Sequence, residues 1–371
     1  MTENVLCIKE FEIEVNSYRD CMKIKNSIVW MVTFVMLVAL IIESKAAEYE
    51  TMEDTKTYKY PVTAEDAKWN SFESVEEKIE ACRIERDILK AMSNEQLVQA
   101  VLDFPFLYDV FVTSSFEEGV KVFEKISDAY AELLSRDSAK DAMYDMLLQM
   151  KEKSSIKLSA ENEVKMDALA ILLVFQKEFQ NDMTEKELCE IAEISSLLQI
   201  AKTDDLQNLR YIEAVPTTPN GHSVVYTTPT CSHASSTYHA EIDANLVSTY
   251  GVTLISSGSC KYNCHSYAWH SQSTGNIYWI DNPSIYMTDG SYTRVVNGFS
   301  TSSLSAVPGD RVIYGSLYGP SHSAMITSSV TGAPLATRTV KSKWGKAGVF
   351  SHSVCNVPSV YDTSDVSAWH R

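Results

Sequence analysis

The chain changes character near residue 210, and this change constrains its fold more than any other feature. From Ser71 to about Leu209 the sequence holds one glycine and one proline, whereas 12 of the 13 glycines follow residue 210. Charge divides in the same way: residues 1–210 carry 24 Lys and Arg against 41 Asp and Glu, and residues 211–371 carry 8 against 8. A chain of 371 residues with two such halves predicts two folded units.

The first unit, residues 71–210, has the apolar period of helices. Leu, Val, Ile, Phe and Met recur at three- and four-residue spacing, and capping-box patterns begin at Ser93 and Thr184. Its many Glu residues are not accompanied by any histidine, because His is absent from residues 1–221. The acidic side chains therefore predict a solvated face rather than a metal site. We expect an acidic, all-α helical domain.

The second unit, residues 215–371, has the composition of a sheet. A turn-rich boundary runs from Val215 to Gly221, and beyond it Ser, Thr, Tyr, Gly and β-branched residues dominate. Helices are predicted from Cys264 to about Ser271 and near residues 238–250. Strand-like runs occur at 222–228, 275–281, 309–316, 322–328 and 335–344. We expect an α+β domain in which a helix packs against an antiparallel sheet.

The N-terminal segment predicts export. Residues Ile28 to Ile42 are fifteen consecutive uncharged positions, short for a membrane span but typical of a signal-peptide core. A start at Met22 would supply a basic region before this core, with cleavage near Ala46. We therefore expect residues 1–46 to hold a mis-assigned start and a signal peptide, and residues 47–70 a solvated linker. The alternative is a retained N-terminal anchor.

This reading makes the mature protein secreted or bound at the cell surface, with membrane contact only through the transient signal segment. No basic patch or arginine-rich run appears in the sequence, which argues against nucleic acid as a partner.

Cys264 is the strongest candidate for chemistry. It follows a Gly/Ser-rich stretch and opens a short apolar run, so the thiol is expected at the N-terminus of a helix, where the helix dipole favours the thiolate. His322 opens a strand-like run and is the expected general base, held by rigid backbone. The oxyanion donors are expected at Asn263 and at the N–H of Cys264.

A third polar group would orient the imidazole, and two residues are candidates. If residues 322–328 and 335–344 form a hairpin about Gly332, a symmetrical register sets Ser342 opposite His322. His352, which follows the next turn, is the alternative. Aromatic residues flank the motifs and are either core residues or the lining of a groove for a peptide or glycopeptide: Tyr262, Trp269 and Tyr318.

Three motifs in order resemble those of NlpC-type cell-wall hydrolases and CHAP amidases, members of the papain-like cysteine peptidase superfamily. They are Cys264 at a helix start, the strand Pro308-Gly309-Asp310-Arg311-Val312, and the strand His322-Ser323-Ala324-Met325-Ile326. The resemblance covers residues 215–371, under half the chain. It implies a papain-like fold and hydrolysis of amide bonds, often in peptidoglycan peptides, by an amidase or endopeptidase. An acyl-enzyme would form on Cys264, with no cofactor.

The sequence departs from that family pattern at several positions. Asn263 stands where Asp is frequent, His265 stands where a small residue is usual, and the run from Ser342 to Gly345 does not match the expected third residue. Because of these departures the chain resembles a divergent subfamily, and the resemblance does not identify the substrate.

Other interpretations of the cysteine and histidine residues around Cys264 are open. Zinc could be held by a tetrahedral set drawn from Cys231, His233, His239, Cys260, Cys264 and His265, although the spacing matches no standard site. A disulfide could join Cys260 to Cys264, or two of Cys231, Cys260 and Cys355. A surface-binding module could keep the fold without turnover, and a secreted protease or acyltransferase could act on proteins of a host or a competitor.

Overall fold

The computed structural model describes residues 57–154, 159–195, 198, 216–229, 236–299, 306–328 and 334–371. The predicted signal peptide lies outside these residues. Tyr58 to Arg371 form one compact unit. The architecture is α+β, as the sequence predicts, and consists of helices around a seven-stranded antiparallel sheet.

Nine helices precede residue 210 in the described part of the chain, and three follow it. Ser93 with Gln96 and Thr184 with Glu187 form the two predicted capping boxes. Single 3₁₀ turns cover Ala67–Ser71, Leu107–Phe111 and Leu335–Thr337. The α-helices are α1 Val75–Ala81, α2 Arg86–Ala91, α3 Asn94–Leu102, α4 Phe116–Ile126, α5 Asp128–Leu134, α6 Ala139–Ser154, α7 Ala160–Phe175, α8 Lys177–Gln180, α9 Glu185–Ile194, α10 Ser236–Tyr250, α11 Cys264–Trp269 and α12 Ser284–Thr288.

The sheet has the strand order β1-β6-β5-β4-β3-β7-β2, and every neighbouring pair is antiparallel. Two predicted strands are absent from it: residues 222–228 and 275–281 form only isolated bridges, one of which joins Thr227 to Trp279. The strands are β1 Thr253–Ser256, β2 Thr293–Asn297, β3 Arg311–Ser316, β4 Gly319–Ile326, β5 Thr339–Lys343, β6 Val349–Ser353 and β7 Val366–His370.

The register between β4 and β5 differs from the symmetrical hairpin. Met325 pairs with Lys341 and Ile326 with Val340, which is two residues away from the alignment that would set Ser342 opposite His322. The cause is the segment that connects β4 to β5. Its residues Leu335–Thr337 form a 3₁₀ turn with Leu335 buried, whereas in a simple hairpin these residues would belong to β5. Strand β5 therefore begins only at Thr339.

The helices and the sheet share one hydrophobic core within this unit. The indole N–H of Trp69 donates to the carbonyl of Thr249 at 2.8 Å, and the hydroxyl of Tyr361 donates to the carbonyl of Val112 at 2.7 Å. At the sheet side, the N–H of Lys346 donates to the carbonyl of Phe111 at 3.0 Å. These hydrogen bonds join residues that precede residue 210 to residues that follow it, within one compact unit.

The predicted linker is only partly solvated from Tyr58 onward. Tyr60, Val62 and Trp69 are buried, and Tyr60 donates its hydroxyl to the carbonyl of Ala100 at 3.0 Å. The correction has a simple physical cause, since burying these large apolar side chains against the helices is more favourable than leaving them in water. Residues 47–56 of the predicted linker lie outside the described part.

No helix among the described residues has the length and apolar character needed to cross a membrane.

Candidate active site

Cys264 is the first residue of α11 and carries a free thiol, of which 2% is exposed. Cys260, four residues earlier, is disulfide-bonded, and its partner lies outside the described residues. The predicted alternative of a Cys260–Cys264 disulfide is therefore wrong, and Cys355 is also a free thiol. The candidate nucleophile remains available for chemistry.

Asn263 explains why the helix begins at this position. Its side-chain oxygen accepts from the N–H of Ser266 at 3.0 Å, which caps α11, and from the N–H of Ile280 at 3.2 Å. Its amide group donates to the carbonyl of Ile280 at 2.8 Å. The buried side chain of Asn263 is thus committed to holding the start of α11.

The sulfur of Cys264 lies among hydrogen-bond donors. The backbone N–H groups of Ser323 and His265, the charge of Lys343 and the hydroxyl of Ser114 each act to lower the pKa of the Cys264 thiol. Burial nevertheless dominates and raises the pKa of the thiol to about 11. The expectation that the helix start would favour the thiolate is therefore not met, because complete removal from water costs the anion more than these donors return.

His322 lies on β4 immediately before Ser323, whose backbone N–H acts to lower the pKa of the Cys264 thiol. Its ring stacks on Tyr361, with centroids 3.8 Å apart and planes 11° from parallel. Both ring nitrogens are buried without a hydrogen-bond partner, so this conformation holds no Cys264–His322 hydrogen bond. Burial, with smaller contributions from His352 and His265, keeps the pKa of His322 well below its usual range, and the imidazole is neutral.

Ser342 and His352 contact each other rather than His322. The Nδ1–H of His352 donates to the carbonyl of Ser353 at 2.8 Å. Because this nitrogen carries the proton, Nε2 accepts from the Ser342 hydroxyl at 2.7 Å. The indole N–H of Trp344 donates to the same hydroxyl oxygen at 2.9 Å. Burial lowers the pKa of His352 to about 4, so the pair is neutral and satisfied within itself. The orienting contact to His322 comes instead from the ring of Tyr361.

The three aromatic residues predicted at a groove are not together on one surface. Tyr262 and Trp269 are buried, whereas Tyr318, in the turn between β3 and β4, is 75% exposed. The indole of Trp269 donates to the hydroxyl of Ser323 at 2.9 Å, and His265 bonds the same hydroxyl at 2.7 Å. Trp269 therefore belongs to the core and holds the segment of β4 that contains Ser323.

Sequence reasoning missed Lys343, whose ammonium group is buried near Cys264. It donates to the carbonyls of Ser259 at 2.8 Å, Gly345 at 2.6 Å and Ala347. These bonds tie the loop before the nucleophile to the turn between β5 and β6. A charged residue at an inward position of a strand is the signal that could have found it, whereas Tyr361 and Ser114 lie in segments with no local pattern that points to the site.

Of the six donors in the zinc interpretation, Cys231 and His233 lie outside the described residues. Cys260 is disulfide-bonded and His265 is bound to Ser323. Within the described ranges, no group of three or more His, Cys, Asp or Glu side chains has an arrangement that could hold a metal ion.

Comparison with protein-family models, with curated proteins and with solved structures found no match.

Proposed function

We propose that this protein is an exported cysteine hydrolase with a papain-like arrangement that cleaves amide bonds in peptide or peptidoglycan substrates. The observation that carries the proposal is the packing of α11 against β4. The free thiol of Cys264 is at the start of this helix, and the neutral imidazole of His322 is on this strand. A thiol and a neutral imidazole on two elements that pack together are the two groups that nucleophilic catalysis by cysteine requires.

In the proposed mechanism the sulfur of Cys264 attacks the amide carbonyl while its proton passes to His322. The C–N bond then breaks, the proton moves from His322 to the leaving amine, and an acyl-enzyme remains on the sulfur. Water attacks this thioester, with His322 accepting the water proton, and the thiol is restored as the carboxylic acid leaves. The N–H groups at the start of α11 would stabilise the negative charge on the carbonyl oxygen.

The protonation states at rest are consistent with this order of events. The pKa of the thiol is raised to about 11 and the pKa of His322 is held below its usual range, so both groups are neutral before substrate arrives. Proton transfer would then accompany attack on a bound carbonyl rather than precede it. Closure of the Cys–His distance is part of that step, because catalytic hydrogen bonds are often loose without substrate.

A second candidate function is a surface-binding module on the same fold. It is favoured by one observation, that both nitrogens of His322 lack a partner while Ser342 and His352 satisfy each other. Such a module would bind peptide or peptidoglycan without turnover.

The test compares the mature protein with its Cys264→Ala variant on peptidoglycan and on peptide substrates, with products identified by mass spectrometry. We expect hydrolysis to fall by about a thousandfold or more, because the attacking atom is removed. Cys355→Ala, which removes an exposed free thiol, is the matched control and should retain full activity. Equal activity in Cys264→Ala would contradict the proposal, and substrate binding without any hydrolysis by the parent protein would favour the binding module.

A further inference from the structure

One row of cross-strand pairs runs through all seven strands of the sheet. Because paired residues on neighbouring strands point to the same side of a sheet, their side chains form a strip across it. This cross-sheet strip consists, from β2 to β1, of Arg294, Trp369, Arg311, Met325, Lys341, Ser351 and Thr253.

The cross-sheet strip faces away from the core that the sheet shares with the helices. The adjacent row of the sheet, with Val312 paired to Ala324, is fully buried in that core. Successive residues of a strand point to opposite sides, so the strip lies on the other side of the sheet. Helix α11 packs on this second side, because Trp269 donates to the hydroxyl of Ser323, two residues before Met325 in β4.

Helix α11 leaves the strip partly open to solvent. Arg294 and Thr253, at its two ends, are exposed, and of the five residues between them only Trp369 is buried. Ile313 and Ser323, which form the next pair on the same side, are both 0% exposed. The strip is thus the part of this side of the sheet at which coverage ends and a ligand can reach the side chains.

The strip carries three positive charges and no negative charge. The cations are Arg294, Arg311 and Lys341, and none of them forms an ion pair with a residue that the structure describes. Two strand steps separate Arg294 from Arg311, and two more separate Arg311 from Lys341. Since neighbouring strands lie ~4.8 Å apart, the positive charges recur at intervals of about 10 Å along the strip.

Asp310 precedes Arg311 and is already occupied by other partners. Its carboxylate accepts from the Nδ1–H of His370 at 2.6 Å and from the N–H of Val307 at 2.8 Å. Burial lowers the pKa of Arg311, Asp310 raises it, and the charge of Arg371 lowers it. In a chain of net charge −17, the strip is therefore a locally positive surface.

Arg311 keeps hydrogen-bond donors for a ligand. A guanidinium has five N–H donors, and among the described residues Arg311 donates only to the carbonyl of Gly309, while its Nε is buried without a partner. Cζ of Arg311 lies 5.9 Å from the ring centroid of Tyr292, and Cζ of Arg294 lies 5.8 Å from that of Trp369. These rings favour fixed positions of both guanidinium groups, as recognition of a carboxylate requires.

We propose that the cross-sheet strip binds an extended acidic polysaccharide that carries one carboxylate per disaccharide and lies across the strands. Its carboxylates contact Arg294, Arg311 and Lys341, whose spacing of about 10 Å is close to the length of a disaccharide. The hydroxyls of Ser351 and Thr253 hydrogen-bond the sugar hydroxyls. An extended peptide fits this spacing less well, because its side chains return to one face every ~6.7 Å. This binding does not depend on the proposed hydrolase activity.

The test measures binding of fluorescein-labelled hyaluronan oligosaccharides, which carry one carboxylate per disaccharide, to the full chain by fluorescence polarisation. In the double variant Arg294→Gln with Lys341→Gln the Kd should rise about fivefold or more at low ionic strength, and binding by the parent should weaken as salt is added. The matched control is Lys90→Gln with Lys121→Gln, which removes the same charge from exposed positions on α2 and α4 and should leave the Kd unchanged. Equal urea midpoints of the variants and the parent separate a loss of binding from a loss of fold.

The proposal is overturned if the parent does not bind hyaluronan, if it binds neutral dextran as tightly, or if the control double variant weakens binding equally. Tighter binding of oligoglutamate than of hyaluronan would overturn the choice of a polysaccharide. If the double variant does not fold, Arg294→Gln alone, at an exposed position of the edge strand β2, must raise the Kd for the proposal to stand.

The Cys264→Ala variant separates this proposal from the proposed function. It should bind hyaluronan with the Kd of the parent, because Cys264 is not part of the strip. Binding by a protein without hydrolytic activity would support the strip and contradict the hydrolase, whereas hydrolysis without binding would do the reverse.

Discussion

At the scale of single residues, the site depends on how buried polar groups find partners. The sequence motifs indicated Cys264 and His322 as candidates, and of the two only Cys264 opens its element, since β4 begins at Gly319, three residues before His322. They were not sufficient to assign the third residue, since Ser342 and His352 meet each other only through the pairing of β5 with β6, in which Val340 lies opposite His352. Nor could they predict the raised pKa of the thiol, which depends on how completely the fold excludes water.

Lys343 is the residue whose removal should be most costly near the site. Burial lowers the pKa of its ammonium to about 7, while Asp243 and three carbonyl acceptors favour the charged form. Lys343→Met should lower the free energy of unfolding by about 3 kcal/mol, because the carbonyls lose their donor inside the protein. Urea denaturation measures this change.

Lys341→Met, on the same strand but only half-buried, is the control and should change the unfolding free energy by less than about 0.5 kcal/mol. Equal stability of the Lys343→Met variant and the parent would show that the ammonium group does not hold the two loops together.

At the scale of elements, the sequence predicted helix starts correctly where the capping residue lies next to the helix in the sequence. The capping boxes and the start of α11 were predicted because the capping side chains lie within four residues of the groups that they bind. The strands expected at 222–228 and 275–281 failed for the opposite reason, since their β-branched and aromatic residues need neighbouring strands, and the Thr227–Trp279 bridge does not extend into a ladder. Edge strands such as β1 and β2 likewise depend on partners far along the chain.

The turn between β5 and β6 holds the helical side close to the site, and Gly345 makes this contact possible. Its φ is +45°, and a Cβ built there would lie 2.4 Å from the carbonyl carbon of Val112. Gly345→Ala should therefore lower the free energy of unfolding by about 3 kcal/mol, because backbone on one side of the contact must move. Thermal or urea denaturation measures the loss.

Gly251→Ala separates the clash from the cost of backbone conformation. Gly251 has a φ of +65°, and a Cβ there would meet nothing within 4 Å, so this substitution should cost about 1 kcal/mol. Equal losses in the two variants would mean that the contact with Val112 contributes nothing.

At the scale of the whole molecule, the composition change predicted two kinds of structure but not their common core. An amphipathic helix reveals which of its faces is apolar, and the pattern does not reveal which surface will cover that face. Here the helices bury their apolar faces partly against α10 and the sheet, through residues such as Trp69, Tyr250 and Trp344. Local sequence patterns therefore could not predict the long-range packing that joins the helices to the sheet.

Asp109, at the centre of this core, predicts a pH dependence. Burial raises its pKa to about 7, one of its oxygens has no partner, and the other accepts from Tyr250 at 2.6 Å. The folded state keeps its proton where the unfolded chain, with a pKa near 3.8, has lost it. The contribution of this group to stability is thus fully present below about pH 4 and is lost as the pH rises to about 7.

Asp109→Asn removes this titration and keeps an acceptor for Tyr250. The unfolding free energy of the variant minus that of the parent should increase between pH 4 and pH 7.5 by up to about 4 kcal/mol, as measured by urea denaturation at each pH. Buried histidines contribute equally to both proteins and cancel in this difference. Asp87→Asn, at an exposed position, should give a flat difference, and a flat difference for Asp109→Asn would contradict the buried neutral carboxyl.

The central claim is that Cys264 forms a covalent bond to the acyl part of its substrate, and one measurement tests it most directly. The protein is incubated with peptidoglycan peptides, quenched in acid and digested, and the peptide that contains Cys264 is weighed by mass spectrometry. We predict an added mass equal to the acyl fragment, removable by hydroxylamine and absent from the Cys264→Ala variant. Cleaved products without any adduct on Cys264, formed equally by Cys264→Ala, would contradict the account.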